Sequence, residues 1–169
     1  MRIELVSGDI TRVDAQVLVT AANKSLKGGG GVDGAIHRAA GRQLLAALRP
    51  LAPCPAGDAV ITDAFELPAP VRYVVHAVGP RYGSDKPSDA LLRSAYLAAI
   101  RCCDEVGARS VAFPSLSTGA YRYPLDEACD ISVDALRHAS TRVETCLLVA
   151  YDRRTHDSWQ RALDATNRT

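Results

Sequence analysis

Short apolar runs alternate with stretches of helical spacing along nearly the whole chain. Ile3 and Leu5 alternate with Arg2 and Glu4, predicting a half-buried strand over Arg2–Ser7 that a turn at Gly8-Asp9-Ile10-Thr11 closes. Val17-Leu18-Val19 is a buried-strand run, and after a polar, glycine-rich loop Ile36, Ala40, Leu44, Ala47 and Leu48 fall on one helical face. Strand, loop and helix follow in that order. Pro50, Pro53 and Pro55 then break the chain into a loop. Two strands follow, at Ala59-Val60-Ile61-Thr62 and within Val71–Val78, separated by the turn Leu67-Pro68-Ala69-Pro70.

A helix is predicted to start near Ser88, with Leu92, Ala95, Tyr96, Ala99, Ile100 and Cys103 on its apolar side and Gly107 as its stop. Ser110–Phe113 reads as a buried strand. Pro124 is expected at the first helical position of the next helix, with Asp126 and Glu127 in the first turn and Ala128, Ile131, Ser132, Ala135 and Leu136 on the packed face. A last strand is predicted over Thr145–Tyr151, then a short helix around Trp159 and Leu163. Strands alternating with helices imply an α/β fold, with helices on both faces of a mostly parallel or mixed sheet. No repeat or composition shift divides the chain, so residues 1–169 are expected to form a single domain. That length suffices to bury roughly 70% of the surface of the unfolded chain.

Composition narrows the partners. Twenty basic residues against nineteen acidic leave a net charge of +1, with no polybasic tail, so broad electrostatic capture of nucleic acid is not favoured. The segment Met1–Asp9 lacks an apolar signal-peptide region and no apolar run approaches the ~20 residues of a membrane span, so a soluble, cytoplasmic protein is expected. The five cysteines, Cys54, Cys102, Cys103, Cys129 and Cys146, show no metal-ligand spacing. Buried thiols in a reducing compartment are the simpler reading, with no metal and no cofactor.

Two strand-to-helix loops carry the candidate chemistry. Ligands of open α/β sheets bind beyond the carboxyl ends of the strands, where these loops lie. The first contains Gly28-Gly29-Gly30-Gly31, which can contribute nothing to packing and suits a backbone approaching a ligand closely. At a helix N-terminus its N–H groups and the helix dipole favour an anion. The second, Ser117-Thr118-Gly119-Ala120-Tyr121, has the same setting. Two such loops on one crevice suggest a ligand with two linked phosphates. Gly29, Gly31 and Gly34 formally satisfy GxGxxG, but roughly eight residues separate them from the strand and no acidic residue closes a second strand at the required distance. No GK[ST] follows either, so both the dinucleotide fingerprint and the P-loop fail. Asn23 and Asp33 bracket the glycines: an Asx-turn and a helix cap would explain each alone, whereas a loop folded over a ligand would bring both side chains to it.

Taken together, Gly8-Asp9-Ile10, the stretch AANKSLKGGGGVDGAIHRAAG from Ala21 to Gly41, Gly57–Thr62, Val75–Pro80 and Ala112–Tyr121 resemble the macrodomain family, in particular its MacroD-type hydrolases. The resemblance implies a three-layer α/β/α fold with a mixed, mostly parallel central sheet that binds ADP-ribose. For this subgroup it also implies hydrolysis of ADP-ribose esters. Carried onto this chain, it makes Asp9 the acceptor for the adenine amino group, with the Ile10 backbone beside it, and Tyr151 the aromatic residue packed on adenine. The backbone of Ser117, Thr118, Gly119, Ala120 and Tyr121 would hold the diphosphate opposite Gly30, Gly31 and Val32. Asn23 would bond the distal ribose and Asp33 would sit by the anomeric carbon, as the catalytic pair.

The substrates so implied are proteins mono-ADP-ribosylated on Glu or Asp and O-acetyl-ADP-ribose, with modified nucleic-acid ends as a further linkage and a monomer as the acting form. Ester hydrolysis needs an oriented water but no metal or covalent nucleophile, and an ordinary Asp with pKa ~3.9 is a weak base, so positioning must supply much of the rate. Two positions depart from the family pattern: Thr20 stands where Asn is usual, and Arg122 where Gly is usual. The Thr can keep a hydroxyl contact; the Arg can clamp the diphosphate or crowd the distal site. His37 and His76 are expected to be packed or capping residues, His138 and His156 surface ones. A non-catalytic ADP-ribose reader and a protein-contact regulator of a ribonuclease are the competing functions.

Overall fold

The computed structural model describes residues 1–168. Six strands, β1 (Arg2–Ser7), β2 (Val17–Ala21), β3 (Ala59–Asp63), β4 (Tyr73–Ala77), β5 (Ser110–Phe113) and β6 (Thr145–Ala150), form one sheet in the order β1-β6-β5-β2-β4-β3. Every neighbouring pair is parallel except β3 and β4, the hairpin-like edge. Five helices cover it: α1 (Gly31–Ala40), α2 (Arg42–Leu48), α3 (Ser88–Glu105), α4 (Leu125–Arg137) and α5 (Arg153–Thr166).

The two faces follow from the period of two along each strand. Leu18, Val74, Ala112, Leu147 and Val149 point to one side and pack with Ile36, Ala40 and Leu44 of α1 and α2. Val17, Val19, Val75, Val111, Phe113, Cys146 and Leu148 point to the other, against Leu92, Tyr96 and Ile100 of α3, Val133 and Leu136 of α4, and Trp159 of α5. Each large side chain so buried contributes roughly 1.5–3 kcal/mol relative to an exposed one. This is the three-layer α/β/α arrangement with a mixed, mostly parallel sheet. No helix among the described residues is long and apolar enough to cross a membrane. All five cysteines are free and buried.

Several boundaries differ from the sequence reading; β6 ends at Ala150, leaving Tyr151 outside the strand, and β3 runs on to Asp63. The helical face from Ile36 to Leu48 is split, because Gly41 takes φ 88° and a Cβ there would lie 2.6 Å from Glu66 Oε2. Pro124 is the N-cap of α4 rather than its first helical residue, with φ −55° and ψ 127°. The last helix is not short: α5 runs for 14 residues, its N-terminus capped by Asp152.

Candidate active site

Four loops leave the carboxyl ends of four adjacent parallel strands. Asp9 follows β1, Tyr151 follows β6, Ser117–Tyr121 follows β5, and Asn23 with the glycines follows β2. Strands lie about 4.8 Å apart, so these ends span roughly 14 Å in a line. The sheet order thus sets the candidate residues in a row that chain order does not suggest.

At one end, Asp9 Oδ1 accepts hydrogen bonds from the Thr11 backbone N–H (2.9 Å) and hydroxyl (2.7 Å), capping a short 3-10 turn at Ile10–Arg12. Those bonds hold its carboxyl below the usual range and leave Oδ2 outward, 3.8 Å from Arg12 Nε. Ile10 is buried beneath it. Tyr151, one residue past β6, presents its ring at 75% exposure.

In the loop after β5, the backbone turns tightly. Tyr123 N–H donates to Ser117 O (2.9 Å) and Arg122 N–H to Gly119 O (3.0 Å). Thr118 Oγ1 donates within the loop, to Ser115. The N–H groups of Thr118, Gly119, Ala120 and Tyr121 meet no acceptor among the described residues. Tyr96 of α3 anchors the entry: its Oη accepts from Leu116 N–H at 3.0 Å. Ser117 has φ 66°, and its buried Oγ has no partner among the described residues. It packs on Gly79 so closely that a Cβ at Gly79 would lie 2.1 Å from that Oγ.

In the loop after β2, the chain folds back onto α1. A Cβ at Gly34 would lie 2.6 Å from Gly29 O, so only glycine permits this return. Asn23 and Asp33 converge as a result: a Cβ at Gly29 would lie 3.8 Å from Asp33 Oδ2 and 3.9 Å from Asn23 Nδ2. Asn23 also ties the loop together, donating to Gly28 O (2.9 Å) and accepting from Ser25 Oγ (2.8 Å). The N–H groups of Gly29, Gly30, Gly31 and Val32 have no acceptor among the described residues.

Asp33 is only 4% exposed. Its Oδ1 accepts from Thr20 Oγ1 at 2.9 Å and lies 3.5 Å from His37 Nε2, one helical turn on. Burial raises its pKa, against the lowering effect of the Thr20 hydrogen bond and of His37. Below it His76 is fully buried, 3.0 Å from Thr62 Oγ1, with its pKa pushed down to about 3 by desolvation and by His37; it is neutral. Asp33, His37 and His76 put three potential metal-ligand atoms within 4.8 Å of one another. The set suits a divalent ion chemically, but Thr20 already bonds Asp33 Oδ1, and Gly28 packs against the His37 ring.

The residues expected from sequence lie in the loops after β1, β6, β5 and β2 or in the first turn of α1. Reasoning along the chain missed Gly79, whose role depends on a contact between two loops, and the bond from Thr20 to Asp33, which depends on β2 lying beside α1. His37 was readable, standing four residues after Asp33 on a helix. A cavity of about 320 Å³ elsewhere, lined by Ala47, Ile61, Phe65 and Tyr73, contains none of these residues.

Residues 19–132 match the Macro domain family, and the chain belongs to that family. Among its relatives, a macro domain-containing protein of Streptomyces nogalater is 47% identical over 95% of this chain and 91% of its own. The O-acetyl-ADP-ribose deacetylase 1 of Pantoea vagans is 42% identical over 96% of this chain and 99% of its own. Among solved structures, a mutant Oceanobacillus iheyensis macrodomain with ADPR superposes at TM-score 0.91 and 35% identity, covering 99% of this chain and 94% of that one.

Proposed function

We propose that this chain binds ADP-ribose along the ends of β1, β6, β5 and β2 and hydrolyses its esters. It removes mono-ADP-ribose from acidic side chains of proteins and deacetylates O-acetyl-ADP-ribose. The observation that carries this is the convergence of Asn23 and Asp33 on Gly29, beside two loops whose backbone N–H groups have no internal acceptor. The relatives support it: one is named an O-acetyl-ADP-ribose deacetylase, and macrodomains of this fold have been solved with ADPR, ADP and ADP-ribose.

In this reading the order of strand ends matches the order of groups in the ligand. Asp9 Oδ2 accepts from the adenine amino group beside the Ile10 backbone, and Tyr151 stacks on the ring. The N–H groups of Ser117–Tyr121 and of Gly30, Gly31 and Val32 hold the diphosphate. Asn23 bonds the distal ribose. Asp33, oriented through Oδ1 by Thr20, uses Oδ2 to hold the attacking water. The water oxygen bonds to the acyl carbon, the acyl–oxygen bond breaks, and the ribose oxygen takes the proton, giving ADP-ribose and a free carboxylic acid. Preorganisation supplies much of the rate, since a carboxylate is a weak base. Hydrolysis in ¹⁸O-water tests this: label in the released acid supports acyl attack, whereas an unlabelled acid moves the attack to the anomeric carbon.

One observation favours the reader as second reading: Asn23 is already engaged by its own loop. A reader binds ADP-ribose without turnover. The proposal further takes the chain as one domain, cytoplasmic and monomeric, with modified nucleic-acid ends as an additional substrate class.

A further inference from the structure

A second cavity, of about 260 Å³, opens between the loop after β5 and the start of α5 and is lined by Thr118, Arg122, Tyr151, Asp152 and Arg154. It is distinct from the Asn23–Asp33 end. Thr118 belongs to the proposed diphosphate loop and Tyr151 is the proposed adenine platform. In the proposed binding mode the adenosine ribose, which joins adenine to the diphosphate, lies between Tyr151 and Thr118, two residues of this lining. Arg122 therefore stands at the adenosine end, not at the distal ribose.

Two exposed guanidinium groups line this cavity. Neither Arg122 nor Arg154 makes an ion pair within 4.0 Å among the described residues. The carboxylate that lines the cavity, Asp152, accepts from Thr155 N–H at 2.8 Å as the cap of α5 and has its pKa held down by that bond, so two guanidinium groups face one ionised carboxylate there. Arg122 also holds φ 61°, a conformation in which a side chain costs backbone energy and glycine would be at home. In this reading the diphosphate is met by the backbone N–H groups of the loop after β5, and a neutral ribose hydroxyl has no use for two cations. A phosphate monoester, carrying about −1.5 to −2, has.

We propose that this cavity is an anion subsite for a phosphate on the adenosine ribose, and that the chain accepts 2′-phosphorylated ADP-ribose alongside ADP-ribose. The inference rests on the ADP-ribose reading above. Arg122 supplies a forked donor from one wall and Arg154 from the other.

Calorimetric titration of the whole protein with ADP-ribose and with 2′-phospho-ADP-ribose tests this, on wild type, Arg122→Gly and Arg154→Ala. The phosphorylated ligand is expected to bind the wild type about tenfold more tightly, the scale of one charge-assisted contact. Each variant should lose most of that preference while keeping ADP-ribose affinity within about threefold, and rising salt should shrink the preference in the wild type alone. Arg122→Gly relieves the positive φ, so a loss of preference with undiminished thermal stability assigns the effect to the guanidinium. Equal or weaker binding of the phosphorylated ligand, or a preference that survives both substitutions, overturns the proposal. So does a 5′-phosphorylated single-stranded oligonucleotide that needs both arginines while 2′-phospho-ADP-ribose does not. Failure of the wild type to bind either nucleotide overturns the ADP-ribose reading and this subsite with it.

Discussion

Replacing Thr20 with valine removes one hydroxyl, keeps the side-chain shape, and strips Asp33 of its closest hydrogen-bond donor. The bond is 2.9 Å long and both residues are buried, so water cannot take the lost donor's place. Hydrogen bonds to a charged group contribute about 1.5–3 kcal/mol. His37 Nε2, at 3.5 Å from the same oxygen, compensates in part, so the low end applies. Turnover of O-acetyl-ADP-ribose is therefore expected to fall roughly 10- to 30-fold at neutral pH, with KM nearly unchanged. The sign of the pH effect follows from the same bond. Burial raises the Asp33 pKa and Thr20 lowers it, so losing Thr20 raises it further and moves the acidic limb of kcat to higher pH. Thr20→Ser keeps the hydroxyl and should restore both rate and limb. A Thr20→Val enzyme with wild-type turnover and an unmoved acidic limb would refute the idea that this hydroxyl orients and tunes Asp33.

Other perturbations read different parts of the structure. Because the folded-state pKa of Asp33 is raised, its ionised form opposes folding; stability is fully present below the unfolded pKa and falls as pH rises through the folded one. Asp33→Asn is thus expected to raise Tm at pH 7 while abolishing turnover, and a lowered Tm would contradict this. His76 carries the opposite sign: buried neutral with pKa about 3, it stabilises above the unfolded pKa near 6.5 and progressively less below it. Between pH 6.5 and 5 it should remove about 2 kcal/mol, and urea unfolding of His76→Gln should show a flatter pH dependence over that range. Gly79→Ala forces a Cβ into Ser117 Oγ and is expected to weaken ADP-ribose binding at least tenfold; Ser117→Gly in the same chain should recover most of it. Persistent weakness in the double variant would mean that Gly79 acts elsewhere.

The secondary structure was legible wherever one periodicity ruled. Val111–Phe113 is an apolar run, and Ser110–Phe113 became β5 without shift, while Leu92 to Cys103 kept one buried helical face. The break at Gly41 was not legible, because apolar spacing continues through it and its left-handed backbone, φ 88°, shows only in the fold. Within the site, the glycine run and its flanking Asn23 and Asp33 announced themselves by chemistry that packing does not need. Their convergence was readable as a possibility, yet it depends on Gly34 leaving room for the Gly29 carbonyl. Thr20 and Arg122 stood out only as departures from the pattern of the family that the sequence resembles. Their partners, Asp33 across the β2–α1 contact and Tyr151 with Arg154 across the cavity, are brought close only by the fold.

The central claim is that Asp33 serves turnover rather than binding. The measurement that tests it most directly is the time course of ADP-ribose release from a protein mono-ADP-ribosylated on glutamate, comparing wild type with Asp33→Ala at matched ligand occupancy. Steady release is expected from the wild type and a rate lower by two or more orders of magnitude from the variant, with ADP-ribose still bound. Release by Asp33→Ala at the wild-type rate, or tight binding without release by the wild type, would contradict it.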